Sequence, residues 1–239
     1  MMPMSPVLLL LPGLLNTPRV FDRLRQHFDD AVELRIADLR TQPTIAAMAD
    51  DAWAMLADLP PERPLVIAGY SMGGYVALQM MHSAPRAVQG LGLVCTSARA
   101  DTQEGTALRE RAIASIERDF DRFVGGLVGF LLSAQGQHDE TLRAEVRADM
   151  QAVGAATAVR QHRAAALRAD QRQHLPGLAL PVQVVGATAD PVTPLALSEE
   201  LAQMIPGARL DLIEGAGHLV PFEHPARLAA LLRGLTDRP

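Results

Sequence analysis

Ser71 stands in Gly69-Tyr70-Ser71-Met72-Gly73, a G-x-S-x-G pentapeptide set between an apolar strand-like run and an apolar-periodic helix-like one. A turn that only reverses the chain gains little from glycines on both sides of a serine. Small flanks are required when a sharp strand-to-helix turn brings its own ends together and holds the serine out for use. A serine hydroxyl is a weak nucleophile near neutral pH, so it needs a histidine to take its proton and a carboxylate to orient that histidine. Both are present. Asp190 lies in "VVGATADPVTP" and His218 in "IEGAGHLVPFEHP", each on a loop just after an apolar run.

Rivals exist for two of these roles. His224 follows His218 by six residues but sits between Glu223 and Pro225 at a helix start, where a solvated residue is expected. Asp101, in "TSARAD", is a second position from which a carboxylate could serve; "GATADPVTP" is the more complete pattern and favours Asp190. The remaining histidines, at 27, 82, 138, 162 and 174, are expected on the surface, and Arg168 and Asp170 are expected to form a structural ion pair.

Positioning three such side chains on one rim calls for parallel strands ending at the same edge. Short apolar runs alternate with helical periodicity along the chain, the pattern of repeated βα units. Strands are expected at residues 6–11, 31–39, 65–70, 90–96, 181–186 and 208–214. Helices between them carry apolar stripes such as Val20, Phe21, Leu24 and Phe28 after a Thr17-Pro18 start. Ile45, Met48, Ala52, Trp53 and Leu56 form another stripe, and Thr193-Pro194 reads as a third helix start. Residues 102–180 break the rhythm, being helix-rich with no strand-like run. The expected division is a core of residues 1–101 and 181–239 with a helical cap at 102–180, placed beyond the carboxyl ends of the strands where ligands bind in such folds.

Composition narrows the classes. The 239 residues are 49% hydrophobic and 21% charged, enough for one α/β domain with an insertion. A net charge of −5 supplies no basic stripe for a phosphate backbone, so nucleic acid is excluded as a partner. All 22 cationic side chains are arginine, which removes lysine Schiff-base chemistry. The lone Cys95 cannot build a disulfide framework and points to a reducing compartment. The N-terminal apolar run lacks a cationic flank and is broken by Pro12-Gly13; no run is long enough to span a bilayer, so the expectation is a cytoplasmic protein without a membrane role.

With "LLPGLLNTPRVF", "GYSMGGYVAL", "GATADPVTP" and "GAGHLVPFEHP" in place, the chain resembles the α/β-hydrolase superfamily over nearly its whole length. It is similar to its small bacterial serine esterases, including carboxylesterases and enol-lactonases. The resemblance implies the α/β-hydrolase fold, with a mostly or wholly parallel sheet of about six strands flanked by helices. It also implies an acyl-enzyme route with catalytic Ser71, Asp190 and His218, and an oxyanion hole from the Leu14 and Met72 N–H groups. Pro12-Gly13 stands where many relatives have His-Gly, and the antiparallel hairpin that often starts the fold is not expected. Dehalogenases and epoxide hydrolases of this fold use aspartate at the nucleophile position, so Ser71 argues against both. The implied substrate is a small-molecule ester, held by Leu15, Tyr70, Phe123, Leu127 and Phe130 in an apolar pocket, with no metal or cofactor needed. Carbon-carbon bond hydrolysis, cofactor-free perhydrolysis and slow-turnover sensing of a small molecule are the alternatives that share the three residues.

Overall fold

The computed structural model describes residues 4–237. Its first strand, β1 (Val7–Leu11), is five apolar residues with no exposed surface. Successive side chains leave a strand on opposite faces. Leu8 and Leu10 therefore join one hydrophobic cluster, and Val7, Leu9 and Leu11 another. A strand buried on both faces needs a continuous apolar run, which explains why the sequence here lacks polar alternation.

Six strands form the sheet among the described residues: β1, β2 (Glu33–Ile36), β3 (Leu65–Tyr70), β4 (Gly90–Val94), β5 (Val182–Ala187) and β6 (Arg209–Ile213). Their order is β2-β1-β3-β4-β5-β6 and every pairing is parallel. β2 is shorter than the expected residues 31–39. It is an edge strand with only β1 as neighbour, and the turn before it is held by the Asp29 carboxylate accepting from Ala31 N–H at 3.1 Å.

Helices cover both faces. After a 3₁₀ turn capped by Thr17 come α1 (Asp22–Arg25), α2 (Ile45–Ala54) and α3 (Met72–His82). The excursion supplies α4 (Gln103–Arg118), α5 (Phe120–Leu131), α6 (Glu140–Val153) and α7 (Ala155–Ala166). Then follow α8 (Leu195–Met204), α9 (Val220–Glu223) and α10 (Pro225–Thr236). Local chemistry sets several of these starts: side chains of Thr44, Thr102, Asp119 and Asp139 accept N–H groups of the first turns of α2, α4, α5 and α6. α8 begins one residue later than Thr193-Pro194 implies, with Pro194 at the cap position. The Thr193 hydroxyl is committed to Asp190 instead.

The excursion has no separate core. Ile116, Val124, Val128, Leu142, Val146 and Met150 belong to the same cluster as Leu8, Leu10 and Phe21 of the sheet layer. No helix among the described residues is long and apolar enough to cross a membrane.

Candidate active site

β3 runs straight into Ser71, whose backbone is held at φ 52°, ψ −115°, a conformation costly for a residue with a Cβ. Fixed neighbours hold it there. The Ser71 N–H donates to Val94 O at 2.9 Å, and Thr96 Oγ1 donates to Ser71 O at 2.7 Å. The flanking glycines are steric necessities: a Cβ on Gly69 would lie 2.2 Å from Gly73 O, and one on Gly73 would lie 2.0 Å from Leu11 O. Ser71 thus ends a buried strand and begins α3 with its hydroxyl lifted above the sheet.

His218 Nε2 lies 2.9 Å from Ser71 Oγ, and His218 Nδ1 lies 2.7 Å from Asp190 Oδ2. Burial alone would raise the Asp190 pKa. The hydrogen bond and charge of His218, together with Thr193, outweigh burial and hold it below the usual carboxylate value. Asp190 is therefore ionised and can only accept. It does so from Val192 N–H at 2.7 Å, Thr193 N–H at 2.9 Å, the Thr193 hydroxyl and His218. In the neutral imidazole the proton then sits on Nδ1, leaving the Nε2 lone pair for the Ser71 O–H. That is the tautomer a general base requires.

The loop carrying His218 is fixed from the excursion side. The His218 N–H donates to Leu131 O at 2.8 Å. One Glu223 oxygen accepts from Gly217 N–H at 3.1 Å and the other from Ser133 N–H at 2.8 Å. The Tyr70 ring packs 5.4 Å from the imidazole.

Cys95, at the end of β4 with φ 45°, places its sulfur within 4.8 Å of ligand atoms on Asp190 and His218. The three could hold a soft metal ion by type and distance. In this arrangement Asp190 and His218 are bonded to each other, and burial, then the Asp190 charge, pushes the thiol well up, so it stays protonated.

The two expected oxyanion donors sit at the same rim. Met72 N–H opens α3, where the helix dipole favours negative charge. Leu14 N–H has no acceptor among the described residues, whereas Leu15, Asn16 and Thr17 N–H groups are all engaged, by Gln161, Gly13 O and Asp149.

The expected pocket residues divide. Tyr70 is buried beside His218, and Leu15 is buried in the same hydrophobic cluster as Tyr70. Phe123, Leu127 and Phe130 do not form the core-facing stripe of α5; Val124, Val128 and Leu131 do, one residue along. Phe123 and Leu127 pack on the edge of that cluster, and Phe130 is 57% exposed. With Arg118 and Arg122 they line an open groove of about 370 Å³. Val124 and Val128 turn inward, and Gly126 and Gly129 lie where an added Cβ would meet nothing within 4 Å. Two further expectations are corrected. Arg168 pairs with Asp101, while Asp170 pairs with Arg172. His162 is buried rather than exposed, with its ring 6.4 Å from that of Phe123.

Asp149, Gln161 and Glu223 were given no role from the sequence, Thr193 was read only as a helix cap and Cys95 only as a lone thiol. For the first two a signal existed: each is a polar residue inside an inward stripe, Val146-Asp149-Met150-Val153 and Ala158-Gln161-Ala165.

The alpha/beta hydrolase family model matches residues 8–231. A pimeloyl-[acyl-carrier protein] methyl ester esterase of Aromatoleum aromaticum is 30% identical, the match spanning 95% of this chain and 96% of that protein. The enzyme of the same name from Neisseria meningitidis is 29% identical over 83% of this chain, and the match spans only 65% of that protein's length. Among solved structures, a thermophilic esterase from Thermogutta terrifontis superposes with a TM-score of 0.86 at 25% identity, over 97% of this chain and 89% of that one. The enol-lactonase of Burkholderia xenovorans has the same fold, with a TM-score of 0.87 at 19% identity over 98% and 92% of the two chains. A parallel six-stranded sheet, a strained serine between β3 and α3, and a family match from β1 into α10 lead to one conclusion: the chain belongs to the alpha/beta hydrolase family.

Proposed function

We propose that the protein hydrolyses a small carboxylic ester through an acyl-enzyme. The observation that carries this is the unbroken hydrogen-bond chain from the ionised Asp190 through His218 to Ser71. Ser71 Oγ attacks the ester carbonyl carbon as its proton passes to His218 Nε2. The tetrahedral oxyanion is held by the N–H groups of Leu14 and Met72, aimed at charge that develops only in the transition state. Collapse breaks the bond to the alkoxy oxygen, which leaves as the alcohol with the His218 proton. Water then attacks the acyl carbon with His218 again as base, and the carboxylic acid departs from Ser71. Asp190 stays ionised throughout and stabilises the imidazolium.

Helices α4–α7 serve as a cap in this reading, and the described residues of 1–101 and 181–239 form the core beneath it. Leu14, Leu15, Tyr70 and Met72 are the apolar surroundings of the reacting carbonyl, a setting for a neutral acyl group of short to medium length. The names of the relatives from Aromatoleum and Neisseria support an ester of a small alcohol as the natural class. A buried, unpaired thiol fits a reducing cytoplasmic setting.

The test is direct. Ser71→Ala is expected to remain folded, to lose covalent labelling by a fluorophosphonate, and to cleave p-nitrophenyl butyrate about 10⁴-fold more slowly. Retention of most of the activity would refute the reading.

A further inference from the structure

The segment after β1 is suspended from the two excursion helices that follow the long break in the βα pattern. Gln161 of α7 is fully buried; its Oε1 accepts from Leu15 N–H at 2.9 Å and its Nε2 donates to Leu39 O at 3.0 Å. Asp149 of α6 is 5% exposed. Its Oδ2 accepts from Asn16 Nδ2 at 3.2 Å and from Thr17 N–H at 3.3 Å, and its other oxygen accepts from the Thr17 hydroxyl. Between these two anchors the chain takes a conformation it would not hold unaided, since Leu15 has φ 61° with a branched side chain. The result is selective. Every N–H from residue 15 to 17 is used up, and that of Leu14 is left over and fixed in direction.

A buried carboxylate with no arginine bonded to it among the described residues is an expensive way to hold a loop. Burial, only partly offset by Thr17 and Asn16, raises the Asp149 pKa. An apolar side chain at this inward position of α6 would pack the cluster equally well, so packing alone does not account for it. Geometry at the loop does.

We infer that Gln161 and Asp149 are positioning residues for the oxyanion donor, acting through Leu15 to Thr17 on Leu14, so that the excursion helices set transition-state stabilisation as well as covering the site. The inference rests on the serine-esterase reading above. A donor aimed by such anchors acts on the tetrahedral state far more than on the bound ester, so its loss falls on kcat rather than KM. Neither residue is placed to touch the substrate in this reading.

The experiment uses Gln161→Met, which keeps the length and volume but neither hydrogen bond. Asp149→Asn, on the other helix, is the second variant; it keeps the shape and turns one acceptor into a donor facing Asn16 and Thr17. Three readouts are taken on each: kcat and KM for p-nitrophenyl butyrate, the inhibition constant of n-butylboronic acid, whose adduct with serine presents a tetrahedral oxyanion, and the thermal midpoint. The expected result is a fall in kcat of roughly 10- to 100-fold, KM within about threefold, and a parallel loss of boronate affinity. Either variant folded with kcat and boronate affinity within about twofold of the parent would overturn the inference. So would a loss of kcat without loss of boronate affinity. Ser71→Ala, run alongside, separates the two levels: if it stays active, the esterase reading itself fails; if it is dead while both anchor variants are normal, only the positioning role fails.

Discussion

Asp101 receives the Arg168 guanidinium on one carboxylate oxygen, and Arg109 closes on the other. Burial, which alone would raise its pKa, is outweighed by the two arginines, and Asp101 sits below the usual carboxylate value. Arg168 is further fixed by its stacking 4.2 Å above the Tyr75 ring. His218 Nδ1 is bonded to Asp190, and Asp101 is bonded to these two arginines instead. Asp101→Asn is therefore expected to change kcat by less than about threefold while lowering stability by a few kcal/mol, because two guanidinium groups lose their partner. Asp190→Asn should cost on the order of 10³-fold or more in kcat through loss of the imidazole tautomer. Steady-state kinetics beside chemical denaturation reads both, and the opposite ranking would transfer the acid to Asp101.

His162 gives the protein a pH-dependent stability unrelated to the reacting residues. Both ring nitrogens are buried without a hydrogen-bond partner among the described residues, and burial, aided by the Arg109 charge and opposed by Asp101, lowers its pKa to about 4. The folded state thus refuses a proton that the unfolded chain accepts below about 6.5. Stability is present above that pH and falls as pH drops toward 4, by roughly 3 kcal/mol in all. His162→Leu should flatten this part of the curve, as measured by urea midpoints from pH 7 to pH 4. An unchanged slope would show that the proton uptake lies elsewhere.

Gly217 cannot become alanine without moving the histidine loop or the end of α5. A Cβ there would lie 2.5 Å from Leu131 O and 2.5 Å from Ser133 N, both backbone atoms that cannot swing aside. Gly217→Ala is expected to cost about 1–3 kcal/mol of stability and to slow ester cleavage roughly 10- to 100-fold by displacing the neighbouring His218. Wild-type kinetics with an unchanged thermal midpoint would mean the two segments part freely.

On the proposed reading, the apolar residues around Ser71 predict p-nitrophenyl butyrate to exceed p-nitrophenyl palmitate in kcat/KM by about 10-fold or more, since a pocket for a short acyl group leaves a long chain unaccommodated. A monoanionic acyl ester should be poorer than its neutral isostere, because a charge buried there loses hydration. With Arg168 engaged by Asp101, Arg122, which lines the open groove beside Arg118, is the cation to test for reversing this. Preference for the anionic ester, abolished in Arg122→Gln, would overturn the neutral-pocket reading.

The sequence disclosed Ser71, Asp190 and His218 because each lies in a contiguous pattern: a glycine-flanked turn or a loop at the end of an apolar run. It disclosed β1 and β3 almost to the residue because burial on both faces leaves no polar interruption. It did not disclose the rotation of α5, since stripes through Phe123 or Val124 are equally apolar and only packing against α6 and the His218 loop decides between them. The partners of Arg168 were also hidden. Asp170 is two residues away in sequence, but Asp101 is brought to it by the return of the chain from α7 to β5.

A shared core makes the excursion a poor candidate for modular exchange. Most of its buried apolar side chains share one cluster with one face of the sheet, so the two should melt together in a single transition. An engineer who exchanges the helices of the excursion must therefore replace Asn16 and Thr17 along with α6 and α7. An unaltered scaffold would carry a β1 loop whose anchors had left with the old helices.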